Sequence, residues 1–192
     1  VTTQLADDST AIRDSWRDPE RFAVLFDRHA PAIHRYLARR VGEQAADDLL
    51  AETFLAAFGK RRGYDLGYPD ARPWLYGFAT NLVAQHQRRE MRRYRALEAA
   101  PGPAAVSSDY TETTVTDLTA RSMRPALLAA LATLAPGDRD VLLLIAWEQL
   151  SYDETARALA IPVGTVRSRL HRARTRLRGS LAPAYQELIA DE

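Results

Sequence analysis

The stretch Ser151–Arg178, SYDETARALAIPVGTVRSRLHRARTRLR, constrains the fold more than any other part of the chain. It predicts two short helices joined by a tight turn. Ser151 and Glu154 form the S-x-x-E pattern of a capping box, so a helix should begin there. Tyr152, Thr155, Ala156 and Leu159 would give that helix its buried face. The segment Ile161-Pro162-Val163-Gly164 breaks it, because proline lacks an N–H and fixes its own φ. Thr165 can then cap a second helix. Val166, Leu170, Ala173 and Leu177 fall at i, i+4, i+7 and i+11, a single apolar stripe. The remaining faces carry Arg167, Ser168, Arg169, His171, Arg172, Arg174, Arg176 and Arg178, with no acid among them. One apolar stripe with cationic, hydrogen-bonding faces suits the major groove of DNA.

Runs of charge are most often solvated surface. Such surfaces tend to mix arginine or lysine with glutamate for i,i+4 pairing, and here the acidic partner is missing. The arginines also follow a turn of helix-turn-helix length, which favours nucleic acid.

The whole chain has 192 residues and a formal net charge of only +1. Any affinity for DNA must therefore come from uneven placement of charge. Acids gather in Val1–Glu20 and in the last residues, and arginines in Arg88–Arg95 and Arg167–Arg178. Hydrophobic residues make up 46%, enough for one large or two small cores. There is no cysteine, which excludes disulfides, thiolate metal sites and a cysteine nucleophile. His29, His34, His86 and His171 show no metal-ligand spacing, so neither a metal nor a cofactor is expected. Ala126–Ala135 and Val141–Trp147 are too short to span a bilayer and read as core helices. The expectation is a cytoplasmic protein with no membrane contact.

Strand signals are weak and the periodic segments are helical, which predicts an all-α protein. Asp18-Pro19-Glu20 opens a helix that would bury Phe22, Leu25 and Phe26, with His29 a further candidate for the same face. Pro31 starts or kinks the next, with Ile33, Tyr36, Leu37 and Val41 inward, and Gly42 stops it. Ala45–Phe58 is a third helix. A Gly-, Arg- and Tyr-rich loop, Gly59–Arg72, precedes a fourth that opens at Pro73 and runs into the basic segment 85–95. Ala99–Thr119 changes character, with Pro, Ser and Thr and little periodicity, as a linker does. Beyond it, Leu127, Leu128, Leu131 and Leu134 would form the core of a further helix. The expected layout is two small helical domains, 20–95 and 120–182, joined by a flexible linker at 96–119. A 1–19 extension would precede them and a short 183–192 tail would follow.

These residues resemble a known family. The order of Ala46–Leu55, then Arg72-Pro73-Trp74-Leu75-Tyr76 through Ala79-Thr80-Asn81-Leu82, then Leu150–Arg174 is similar to that of bacterial RNA polymerase sigma factors of the extracytoplasmic-function (ECF) group. The likeness covers nearly everything from Phe22 to Leu181. It implies a region 2-like domain that grips the polymerase clamp and addresses the −10 element. It also implies a region 4-like domain that reads the −35 element and meets the flap. One departure is Ala160, where the family often has glycine. Either Ala160 is left-handed, at a cost of ~1 kcal/mol, or the turn differs.

A sigma factor catalyses no covalent step, so no catalytic residue is expected. For polymerase binding the resemblance implies Asp47, Asp48, Leu49, Glu52, Leu55 and Phe58. Carboxylates mixed with apolar anchors suit a protein interface, although acids near a helix N-terminus also suit its macrodipole. For the −10 element, Lys60, Arg61, Arg62 and Arg72 can reach phosphates. Tyr64 and Tyr68, flanked by Gly63 and Gly67, can stack on unpaired bases. Asp65 and Asn81 can read base edges, and Arg88 and Arg89 continue the basic track. Trp74 and Phe78 are better read as core. For the −35 element, Ser168, His171 and Arg172 stand where the family reads bases, Arg172 suiting guanine. Arg167, Arg169, Arg174 and Arg176 suit phosphates, with Thr165 at the helix start. His171 can instead make apolar contact with a thymine methyl.

Two rival classes remain. A one-component regulator would use the helix-turn-helix alone, as a dimer on a palindrome. No heptad seam would dimerise this chain, so a monomer outside the holoenzyme is expected, and Asp47–Phe58 would have no purpose. An enzyme targeted to DNA would need paired carboxylates, a phosphate-cradling loop or a metal cluster, and none is visible. The partners implied are core RNA polymerase and promoter DNA, with room for a separate anti-sigma protein.

Overall fold

A computed structural model describes residues 7–98 and 126–190 of the chain, with side chains over 7–96 and 126–182. Every regular element among the described residues is helical. The helices are α1 (Asp8–Asp14), α2 (Ala23–Val41), α3 (Glu43–Lys60), α4 (Arg72–Glu98), α5 (126–132), α6 (Pro136–Ala146), α7 (Tyr152–Leu159) and α8 (Val163–Ala190). Short 3-10 turns occupy Pro19–Phe22 and Arg61–Gly63. The chain divides into two compact units, Val1–Thr111 and Glu112–Glu192. The expected linker lies outside the described residues, apart from its first three, which end α4.

The first unit is built on α2, α3 and α4, which pack on one another. Leu25, Ile33 and Leu37 of α2 are buried, as their spacing predicts. Tyr36 adds a buried polar link: its ring meets Tyr76 edge-on at 5.4 Å and its hydroxyl lies 2.9 Å from Thr80 Oγ1. Pro31 does not start a helix, for α2 runs through it. An interior proline costs ~3 kcal/mol. Each of the buried leucines and isoleucines on either side contributes about 1.5–3 kcal/mol, enough to hold a single helix. Phe26 is half-exposed, resting on Phe54 at 4.9 Å between ring centres, and not in the core as expected. Gly42, at φ 84°, ends α2 and starts α3 in one step that a side chain would strain.

The segment expected to be an N-terminal extension is largely part of this unit. Asp7 caps α1, accepting from the Thr10 N–H at 2.8 Å. Asp8, Ala11, Ile12 and Ser15 are then buried along one face. Their i, i+3, i+4, i+7 spacing was present in the sequence. Two polar residues on that face disguised it.

In the second unit, α6, α7 and α8 pack around Val141, Leu144, Val166 and Ala173. The Ser151–Glu154 capping box forms in both directions. Of the face expected for α7, Thr155 and Ala156 are buried together with Ala158, while Tyr152 is exposed. On α5 the buried residues are Ala130 and Leu131. Leu134 is buried just beyond it, and Leu127 and Leu128 are exposed instead. α7 ends at Ala160 in the left-handed region, φ 51° and ψ 45°. The Ile161 N–H reaches back to Ala156 O at 3.0 Å, closing a Schellman-type turn. α8 begins at Val163, so Thr165 lies inside the first turn and is not the cap. Pro162 O accepts the N–H groups of Thr165 and Val166 and does the work expected of a cap. α8 also continues to Ala190, through most of the expected tail.

Candidate nucleic-acid interface

Three surfaces carry the expected residues. The first is α8. Burial of Val166, Leu170 and Ala173 fixes its rotation. Arg167, Ser168, His171, Arg174 and Arg178 are thereby left exposed, with no acid on the segment between Val163 and Arg178. The Ser168 hydroxyl donates to Thr165 O at 3.0 Å.

Arg172 is placed differently from expectation. Its Nε and Nη2 donate to Asp138 Oδ2 and Oδ1 at 3.1 and 2.9 Å, a bidentate pair. Asp138 is mostly buried at 13% side-chain exposure and Arg172 is 59% exposed. The hydrogen bonds and charge of Asp138 push the Arg172 guanidinium above its ordinary value. The fork assigned to a guanine thus grips α6. Arg169 turns the same way: a Cβ at Gly137 would lie 2.7 Å from its Nη1. Arg176 Nε comes within 3.5 Å of Thr133 Oγ1. Arg172 and Arg176 thus bond α8 to its own unit, and Arg169 lies against the start of α6. Sequence spacing placed them on the surface but could not show that α6 and the turn before it pass beside them.

The second surface is the loop from Arg61 to Ala71 with the helix beyond it. Tyr64 is corrected: it is buried at 8% exposure, its ring 5.0 Å from that of Trp74. Its hydroxyl donates to Tyr68 O at 2.7 Å and lies 3.2 Å from Asp70 O. It props the loop from inside and offers no face to a base. Tyr68 is 39% exposed. Asp65 is exposed and folds its own turn by accepting from the Gly67 N–H at 2.9 Å. Arg61 is likewise turned inward, its guanidinium 3.7 Å from the centre of the Phe58 ring and its Nη1 donating to Phe58 O at 2.7 Å. Arg72 pairs with Asp70 at 2.9 Å. Lys60 and Arg62 are exposed. On α4, Asn81, Gln85, Arg88 and Arg92 are exposed at i, i+4, i+7 and i+11, with Arg89 beside them.

The third surface is on α3. Asp48, Glu52 and Leu55 are exposed on one face, Leu55 at 71%. So large an apolar exposure beside two carboxylates is a feature of interfaces. Asp47 is exposed beside it, 3.0 Å from His34 Nε2. Leu49 is corrected: it is buried in the core. Phe58 is half-buried, edge-on to Phe22 at 5.3 Å.

One cluster was missed. Asp8 is buried, is ion-paired with Arg28, lies 2.7 Å from His29 Nε2 and accepts from the Ala71 N–H at 2.8 Å. Burial pushes the Asp8 carboxyl up. The hydrogen bonds from His29 and the Ala71 amide, with the charges of His29 and Arg28, outweigh that and hold it below its ordinary value. Asp8, His29 and Asp70 bring ligand-type atoms within 4.8 Å of one another. Arg28 already supplies the positive charge a cation would bring. No helix among the described residues is long and apolar enough to cross a membrane.

Known proteins match the two units separately. Residues 25–93 match the model of Sigma-70 region 2, and residues 124–177 that of Sigma-70 region 4. The RNA polymerase sigma factor CarQ of Myxococcus xanthus is 34% identical over 182 residues, covering 92% of this chain and 97% of that protein. The ECF RNA polymerase sigma factor SigE of Mycolicibacterium smegmatis is 34% identical over 170 residues, covering 85% of this chain and 62% of that protein. The fold is also that of the sigma factor RpoE of Bartonella quintana, solved with the anti-sigma factor NepR. The TM-score is 0.62 at 23% identity, covering 84% of this chain and 96% of that one. Two region matches in this order, and a relative aligned over nearly its full length, establish that the chain belongs to the sigma-70 family as an extracytoplasmic-function RNA polymerase sigma factor, a protein of promoter-specific transcription initiation.

Proposed function

We propose that this sigma factor holds core polymerase through Asp48, Glu52 and Leu55, reads the −35 duplex with α8, and captures the melted non-template strand with the loop at 61–71 and the start of α4. The observation that carries this is α8: an exposed face of arginine, serine and histidine without acids, fixed in rotation by a buried stripe. Base reading falls to Ser168 and His171, with Arg167 and Arg174 on phosphates, since Asp138 occupies the fork of Arg172. Asp65, Tyr68 and Asn81 are the exposed polar and aromatic groups for single-stranded bases. Lys60, Arg62, Arg88 and Arg89 follow the backbone. An anti-sigma protein, the kind of partner with which RpoE was solved, is a further proposed partner. Action in the cytoplasm follows from partnership with the polymerase.

The test is transcription by reconstituted holoenzyme on a promoter library, with start sites mapped. The sigma factor should direct initiation at positions that core polymerase alone does not use. Arg167→Ala should weaken all promoters about equally and lower the salt slope by about one unit. Sequence-specific binding by a dimer without polymerase would replace this reading with that of a duplex-binding regulator.

A further inference from the structure

Both ends of the loop at 61–71 are tied to α1 and the residues just after it. At the far end, the Asp8 N–H donates to Pro69 O at 3.0 Å, and the Ala71 N–H donates back to Asp8 Oδ2 at 2.8 Å. This reciprocal pair closes on the last residues before α4. At the near end, Trp16 Nε1–H donates to Arg61 O at 3.3 Å, and Arg61 Nε donates to Ser15 O at 3.4 Å. Between them lies the buried face of Ala11, Ile12 and Ser15. The exposed Asp65 is thus flanked on each side by anchors to a segment outside the matched region 2. Asp8 itself is held in place from α2 by Arg28 and His29.

We propose that α1 is a clasp that sets the conformation of the loop at 61–71 for strand capture, with Asp8 as the positioning residue at one end and Trp16 at the other. Asp8 touches no DNA in this arrangement. It acts through the Ala71 amide, and so on the start of α4 and on the exposed side of the loop. A loop of this length without anchors samples many conformers, and capture of a base would have to select one of them. Anchoring removes that cost before the strand arrives. Arg28 beside Asp8 explains why a carboxylate tolerates this burial, since a buried charge is kept only when paired. The inference rests on the assignment of the loop to the −10 strand.

The experiment uses holoenzyme reconstituted with wild type, Asp8→Asn and Trp16→Phe, on libraries randomised separately over the −10 and −35 positions. Hydrogen exchange of the loop amides is followed in parallel. Both variants should speed exchange at 61–71 and reduce −10 discrimination, by roughly tenfold for Asp8→Asn, as misplacement of contacting groups does. The −35 preference and co-elution with core polymerase should stay as in wild type, a split that general loss of stability would not produce. Trp16→Phe keeps an aromatic ring, removes the indole N–H, and tests the clasp even if Asp8→Asn fails to fold. Unchanged loop exchange, or an unchanged −10 preference while Asp65→Ala alters it, overturns the clasp. If Asp65→Ala and Tyr68→Ala also leave the −10 preference intact, the loop assignment itself fails and the clasp falls with it.

Discussion

At the scale of single residues, Arg172 shows how a side chain can change its task without changing its place. It stands on the exposed part of α8, as its spacing requires, yet its fork closes on Asp138. Arg172→Ala should therefore lower the melting temperature of the second unit and leave the −35 base preference in place. Transcription from a −35 library and thermal unfolding check this together. A loss of preference at one base pair would return Arg172 to base reading. Ala160 makes a cleaner case. Its left-handed backbone costs ~1 kcal/mol for a residue with a Cβ, and glycine gives back part of that in unfolded-chain entropy. Ala160→Gly should stabilise the protein by somewhat less than ~1 kcal/mol, read as a rise in the urea midpoint. The sequence left two possibilities at Ala160, a left-handed residue or a different turn, and the structure takes the first. The Asp138 bridge was not, because residues 34 apart in sequence meet only once α6 and α8 are packed.

At the scale of elements, periodicity found α3 to α8, and α2 with a start or kink expected at Pro31, because each carries apolar residues that must be buried. It missed α1, whose inward face is half polar: Asp8 looks like surface until Arg28, His29 and the Ala71 amide satisfy it, and Ser15 until its hydroxyl donates back to Ile12 O. Loop aromatics were misjudged for the converse reason. Glycine neighbours made Tyr64 look hard to bury, but the loop folds over it and supplies two carbonyls to its hydroxyl. On α3 the pattern separated acids from core, except that Leu49 faces inward and Leu55 outward. That contrast sets up a test of the element as an interface. Asp48→Arg with Leu55→Asp should abolish co-elution with core polymerase and leave helical circular dichroism unchanged, since both residues are exposed. Retained co-elution of the folded double variant would remove the interface from this face.

At the scale of the molecule, the first unit holds a buried carboxyl among other charged groups. Asp8, faced by Arg28, His29 and Asp70 with Asp7 alongside, has its carboxyl lowered from an ordinary 3.8. A depressed carboxyl contributes stability that is present above the unfolded value. That stability is lost as pH falls through the folded one. Acid below about pH 4 should therefore destabilise the wild-type first unit more steeply than that of Asp8→Asn, as urea titrations at stepped pH would show. Division into two units carries a further consequence for heat. Domains this small bury only about two thirds of their unfolded surface, so each sits near its own limit of stability. Calorimetry should resolve two endotherms in place of one cooperative melt. A protein that binds only the folded state raises the transition of the part it covers, by an amount set by its concentration relative to its dissociation constant. The thermogram thus becomes a map of occupancy: an antagonist that displaces one endotherm and not the other identifies which half of the sigma factor it has seized.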